Sequence, residues 1–375
     1  MNLLVGAIGC LAVIITVSDI FQSVIVPRPV NYLRPSALLS RTGWRIVSHL
    51  SDRIGSPERR EALLGVYAPA LVVTLLVMWV AALVLGFGAI FYAIRAQLHP
   101  EPANYWGAAY YAGTSLLTLG FGDITAGSGL TRLLSLVAAA LGLGTFAVVI
   151  SFLFLVFGAF QRREAFIVTL RERTGAPPSG VAFLVNHAEL RMLDAVGATF
   201  KDAESWIAEV METHLAFPIL VYFRSTHDAQ SWIGTLGALL DASSLILTAV
   251  DTAEIGPARM LNRLGRHLVN DFNRNFHLDG SEQPGIDRHE FANAYRHLRD
   301  AGIPLREEDA AWLKFAALRA TYAGPLNASA KFFRIPPAQW IGDRSFLPVR
   351  HMPQAPHPVA VTANVADADA PARTV

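Results

Sequence analysis

Three stretches of this chain, residues 3–26, 63–94 and 130–160, run for more than twenty positions almost without charge. A helix of about 20 residues spans the roughly 30 Å of a bilayer's hydrocarbon layer, and in lipid every backbone polar group must be satisfied within the chain. The fold is therefore expected to be built on membrane-spanning helices. Composition agrees: 53% of the 375 residues are apolar and the mean hydropathy is +0.37, more than a soluble chain of this size carries. The apolar residues concentrate before residue 160. Beyond it, 22 Lys and Arg balance 24 Asp and Glu, so no basic field invites nucleic acid as a partner.

The first stretch lacks a basic segment after Met1-Asn2 and a small-residue cleavage site, so it reads as a retained helix and not as a signal peptide. Orientation follows from arginine. The connection 27–62 holds Arg28, Arg34, Arg41, Arg45, Arg53, Arg59 and Arg60 against Asp52, Glu58 and Glu61, which places it in the cytoplasm and the N-terminus outside. Arg162-Arg163 after the third stretch places the C-terminal half in the cytoplasm as well. The expected setting is the plasma or inner membrane, with three spans. Within the linker, Leu39, Ile46, Val47, Leu50 and Ile54 share a helical face. That pattern suits either a helix in the membrane interface or one packed on the cytosolic half. Asp19 falls near the inner end of the first helix, where a solvated or arginine-paired structural role is expected. Cys10 is the lone cysteine, which excludes an intrachain disulfide and any CxxC site.

Between the second and third spans lies a segment too short and too mixed to cross a bilayer, residues 104–117, followed by Thr118-Leu119-Gly120-Phe121-Gly122-Asp123. It reads as a half-helix and an extended loop. Irregular backbone at membrane depth persists where it lines a watery path. Consecutive carbonyls of Thr118, Leu119, Gly120 and Phe121, with the Thr118 hydroxyl, are suited to replace a cation's hydration oxygens. Their backbone must alternate in handedness, and Gly120 and Gly122 supply positive φ without a Cβ penalty. Leu119 and Phe121 are expected to point into a cuff of pore-helix aromatics formed by Trp106, Tyr110 and Tyr111. Asp123 is placed at the outer mouth, to brace the loop and concentrate cations.

These residues resemble the two-helix potassium-channel family, whose filter reads Thr-Val-Gly-Tyr-Gly-Asp between an outer and an inner helix. The resemblance covers residues 64–160. It implies a pore-loop channel fold with K+ as the permeant ion at Thr118, Leu119, Gly120 and Phe121, and no cofactor. Leu119 stands where Val is usual and Phe121 where Tyr is usual, so one hydroxyl behind the filter is missing. A ring of carbonyls needs four loops and the chain supplies one, so a homotetramer follows. The rival readings are a weakly selective cation channel and a membrane-anchored binding or signalling protein with a non-conducting pore. Gly142 and Gly144 suit either a gating hinge or close helix packing. No span carries arginine at three-residue spacing, so a voltage sensor is not expected, and with no ionisable residue in 133–160 the inner cavity should be apolar.

Past residue 165 the apolar residues recur with helical period, as in Trp206, Val210, His214 and Phe217, or Trp232, Leu236, Leu239 and Leu240. Gly and Pro punctuation at 175–180, 256–257, 280–285 and 324–325 divides them into about six helices. The fold class is thus an all-α membrane protein with an α-helical cytosolic C-terminal domain. Its parts are an N-terminal helix (1–27), an Arg-rich linker (28–62), a pore domain (63–160), a cytosolic domain (161–347) and a tail expected to be disordered (348–375). No His-Glu-x-x-His, Gly-x-Ser-x-Gly, P-loop or Gly-x-Gly-x-x-Gly pattern is present, so no enzyme is expected. His289, Glu290 and His297 read as solvated helix residues more readily than as a metal or pH site. A cytosolic ligand or protein regulator is left open.

Overall fold

The computed structural model describes residues 2–26, 34–227, 229–252, 255–280 and 286–341. Arg28, part of the 280–285 break and the 348–375 tail lie outside them. Three helices are long and apolar enough to cross a membrane: α1 (Asn2–Val24), α3 (Pro57–Ala93) and α5 (Gly129–Thr174). Between them lie α2 (Pro35–Ser51) and the short α4 (Tyr105–Leu116). Both α3 and α5 outrun the bilayer. Their 37 and 46 residues correspond to about 55 and 70 Å at 1.5 Å per residue. α3 starts early because Ser56 caps it and Pro57 sits in its first turn. α5 crosses residue 160 unbroken and ends only at Gly175, whose φ is +78°.

α1 lies against α3 of its own chain, and small residues permit the contact. A Cβ on Gly9 would stand 2.5 Å from the Gly86 carbonyl oxygen, and one on Gly86 would stand 2.8 Å from Val13. At the end of this pair nearest α2, Asp19 is 2% exposed. It accepts from Trp79 Nε1 of α3 at 2.7 Å, and from Ser36 Oγ and the Ser36 amide at the start of α2 at 2.7 and 3.2 Å. A carboxylate from another helix thus caps α2, whose own flanking Arg34 contributes no side-chain cap. The direct hydrogen-bond donors to Asp19 are neutral, and the arginine expected near it is Arg34, whose guanidinium interacts with the carboxylate electrostatically and donates to Ser23 Oγ at 3.0 Å.

α2 docks by Trp44, which packs among Tyr67, Tyr222 and Phe333 and donates Nε1 to the Phe332 carbonyl at 3.1 Å. Its inward face therefore meets the C-terminal half, while Leu38, Ile46 and Leu50 stay exposed on the other side. The apolar face expected from the sequence divides: Leu39 and Val47 pack against the core, whereas Ile46 and Leu50 do not.

Seven helices among the described residues form the C-terminal bundle, one more than the breaker spacing suggests. They are α6 (Gly180–Glu189), α7 (Val196–Ala216), α8 (Trp232–Thr248), α9 (Gly256–Phe276), α10 (Arg288–Asp300), α11 (Glu308–Arg319) and α12 (Ala323–Phe332). The Gly-Pro pairs open α9 and α12. α8 is apolar nearly all round and buried along almost its whole length, so it forms the bundle's axis. Its one acid, Asp241, receives Arg319 Nε at 2.9 Å and the Tyr322 hydroxyl at 2.7 Å, all three side chains being fully buried.

The extension of α5 is clamped into this bundle. Arg163, 2% exposed, donates to the carbonyls of Leu220 and Phe223 at 3.1 and 2.7 Å, to Glu164 at 3.0 Å and to His214 Nε2 at 3.2 Å. His214 Nδ1 bonds the Val210 carbonyl at 2.8 Å. Burial, and then the neighbouring Arg163 cation, push the His214 pKa down to about 3.

Two outcomes follow. Asp19→Leu leaves the Trp79 and Ser36 donors buried without an acceptor, at about 1–3 kcal/mol each, so the thermal midpoint of the purified protein should fall by several degrees, with Asp19→Asn intermediate. His214 is neutral when folded and titrates near 6.5 when unfolded. Its contribution is complete above that value and is lost as pH falls from there toward 3, at no more than about 1.4 kcal/mol per pH unit. Urea unfolding between pH 7.5 and 5 should show this slope, and His214→Gln should flatten it.

Candidate ion pathway

The loop between α3 and α5 is pinched at its base. β1 (Leu98–His99) and β2 (Thr125–Ala126) pair antiparallel, with Leu98 opposite Ala126. The Gly127 amide donates to the Gln97 carbonyl at 2.9 Å, and Ser128 Oγ donates to Gln97 Oε1 at 2.6 Å. Ser128 also caps α5 in a reciprocal box with Thr131. Inside the pinch, Asn104 caps α4 by accepting from the Gly107 amide at 3.0 Å, which fixes the start of the half-helix where the sequence places it.

Residues 117–123 follow α4 as exposed, non-helical backbone. Thr118, Gly120 and Gly122 have φ of +57°, +58° and +80°, so handedness alternates along the run. The two glycines are where the sequence demands them. Thr118 is the addition: a β-branched residue at positive φ is held there against a steric penalty. Its hydroxyl turns back to the Leu117 carbonyl at 2.8 Å.

What holds the run is the end of α4. The Leu119 and Gly120 amides donate to the Thr114 carbonyl at 2.8 and 3.3 Å, and the Thr118 amide donates to the Ser115 carbonyl at 3.1 Å. In a trans peptide the C=O points opposite to the N–H. The carbonyls of Leu117, Thr118 and Leu119 are therefore turned away from α4. Thr114 and Ser115 escaped the sequence reading because they act through main-chain oxygens, to which side-chain identity is no guide.

The aromatic residues divide. Tyr111 is buried, edge-on to Phe91 at 4.9 Å, with its hydroxyl 2.7 Å from Ser135 Oγ of α5. It joins α4 to both flanking helices and faces away from the filter run. Trp106 and Tyr110 are 69% and 44% exposed, as are Leu119 at 54% and Phe121 at 66%. Within one chain the expected cuff is open. The Tyr110 hydroxyl lies close to the Asp123 carboxylate.

The two glycines of α5 also part company. A Cβ on Gly142 would stand 1.9 Å from the Leu116 carbonyl oxygen at the end of α4, whereas one on Gly144 would meet nothing within 4 Å. Gly142 lets the inner helix touch the end of the pore helix. Gly144 has no such packing role within the chain. On α10, His289 and His297 are exposed, and no group of three metal-ligating residues occurs among the described residues. Gly142→Ala should therefore lower the thermal midpoint by about 1–4 °C, through overpacking of about 1–3 kcal/mol, while Gly144→Ala should leave it unchanged, both read by thermal unfolding in detergent.

A family model described as an ion channel matches residues 79–158, which take in the C-terminal part of α3, all of α4, residues 117–123 and the first two-thirds of α5. An uncharacterized membrane protein of Bacillus subtilis (strain 168), YdjJ, is 24% identical over 187 residues, 49% of this chain and 54% of that protein. The match thus spans about half the length of the relative. No solved structure matches the chain to a significant degree. Loop geometry and family match coincide on the same residues: the chain is a multi-pass membrane protein whose residues 79–158 match an ion-channel domain, with an additional apolar helix before them.

Proposed function

We propose that this protein is one subunit of a homotetrameric, K+-selective channel that conducts passively through Thr118–Gly122. The carrying observation is the alternation of handedness at Thr118, Gly120 and Gly122, together with the tether of two successive amides to one pore-helix carbonyl. It presents successive carbonyls on one side, as cation dehydration requires. Uncovered Trp106, Tyr110, Leu119 and Phe121 support assembly, since a neighbouring copy is the surface that buries them. Thr118, Leu119, Gly120 and Phe121 would hold the ions. Asp123, close to Tyr110, would raise local cation concentration at the mouth. The arginine counts support an outside N-terminus and a cytoplasmic C-terminal bundle. Weak selectivity is the second reading, favoured by Phe121, which lacks the hydroxyl that would bond behind the filter.

The test is the reversal potential of purified protein in planar bilayers under a potassium/sodium bi-ionic gradient. A value near the potassium equilibrium potential, with current lost in Gly120→Ala, is expected. A value near zero would establish the weakly selective pore, and silence from intact tetramers would remove the conducting role.

A further inference from the structure

The C-terminal bundle is held to the membrane-spanning helices in two ways. One is covalent, through the unbroken α5. The other is a non-covalent grip on the tip of the hairpin that α2 and α3 form across residues 52–56, and it can let go without breaking a helix.

The grip is built at one corner of the bundle, Phe332–Arg334, where α12 ends. Trp44 of α2 donates to the Phe332 carbonyl at 3.1 Å, and Arg334 Nη2 donates to Asp52, directly after α2, at 2.6 Å. Arg224, between α7 and α8, donates Nη1 to the Phe333 carbonyl at 2.7 Å and Nη2 to the Arg334 carbonyl at 2.9 Å. Held in this way, its Nε and Nη2 meet the Glu61 carboxylate near the start of α3 at 3.0 and 2.5 Å. The backbone at Arg334 has φ of +52°, a helix-end position where glycine is the usual residue and a Cβ carries a steric penalty. Glycine would end α12 as well. What arginine adds is the bond to Asp52.

Charge is sorted across this junction. Of the three acids in residues 27–62, Asp52 and Glu61 meet arginines of the bundle, while Glu58 accepts from Ser56 in its own loop at 2.6 Å. Both ion pairs are open to salt, since the Asp52 and Glu61 side chains are 40% and 42% exposed. A cavity of about 140 Å³ beside Glu61, Arg224 and Trp44 has polar walls and room for a few waters. Screening lengths of about 10 Å in 0.1 M salt and about 3 Å in 1 M bracket the size of such a cluster. The rings of Trp44, Tyr67, Tyr222 and Phe333 that pack between the two sides do not depend on charge, so salt loosens the grip without unfolding either part.

We propose that this corner is an ionic clasp that reads the salt concentration on its side of the membrane. At low ionic strength it holds the α2–α3 hairpin against the bundle. As ionic strength rises it loosens, and the bundle moves relative to α3 while α5 keeps it attached. The two positions of the bundle differ in the pore they support, so salt shifts channel opening. That last step rests on the channel reading; the clasp does not.

The test is hydrogen–deuterium exchange of residues 44–54 in full-length protein in nanodiscs, in 0.05 and 1 M KCl at one pH. Wild type should exchange about threefold or more faster in 1 M KCl, and sucrose of equal osmolality should not reproduce the change. Arg334→Gly, which keeps the helix end and removes the side chain, should exchange fast at both concentrations. The charge-swapped pair Asp52→Arg with Arg334→Asp should recover slow exchange in 0.05 M KCl. Salt-independent exchange in wild type, an equal effect of sucrose, or a swap as fast as Arg334→Gly overturns the clasp. In bilayers, open probability should change at least about twofold across the same range in wild type and not in Arg334→Gly. An open probability indifferent to salt overturns the regulatory role. Absence of current with salt-dependent exchange intact overturns the channel reading and upholds the clasp.

Discussion

One carbonyl oxygen sets the geometry of the candidate pore. Thr114 O accepts the amides of both Leu119 and Gly120, so the filter run is tied to the pore helix by its donors and its acceptors are turned outward. A loop that faced its carbonyls inward would bury them without partners and leave no lining for a hydrated ion. Everything around α4 serves to hold that oxygen in place: the Asn104 cap at one end, Gly142 admitting α5 to the other, Tyr111 joining α4 to α3 and α5, and the two-residue ladder closing the loop below. The strain at Thr118 is sustained by the same tether, because the amides on either side of it are already bound.

The rest of the molecule is mechanically continuous with this point. α5 carries the Gly142 contact and, without a break, the buried Arg163 that binds two carbonyls between α7 and α8. A second connection runs from Asp19 through Ser36 to α2, and from Trp44 to the end of α12. The bundle is thus joined to α3 through α2 and to the end of α4 through α5. Two packed, buried connections of this kind have discrete arrangements and do not deform continuously.

The three long apolar helices and the positive φ at Gly120 and Gly122 were legible from residue chemistry, since lipid and left-handed backbone each tolerate few residue types. The bounds of α3 and α5 were not. Glu58-Arg59-Arg60 and Arg162-Arg163-Glu164 signal departure from lipid, and leaving lipid does not end a helix: α3 and α5 run on to the Ser56 cap and to Gly175. Arg163 shows the cost of reading charge as exposure, for this arginine marks the membrane boundary in sequence yet is 2% exposed because carbonyls meet it. The cluster of Trp44, Tyr67, Tyr222 and Phe333 was equally hidden, its members lying far apart in the chain and sharing no periodic pattern. Local pattern reveals a helix's apolar face, and only the tertiary fold reveals what covers it.

That distinction bears on the open cuff. Trp106 and Phe121 are each about two-thirds exposed, beside a run of backbone that must border water if ions are to leave it. Lipid is a poor cover for this face, because acyl chains there would abut unpaired carbonyls and the Asp123 carboxylate. Water is a poor cover too, at about 25 cal/mol for each Å² of apolar surface left wet. A surface that is apolar toward Trp106 and Phe121 and polar toward the carbonyls satisfies both demands, and the same loop from a second copy of the chain supplies such a surface. The rings left bare in a single subunit thus carry the argument from a filter sequence to an assembly.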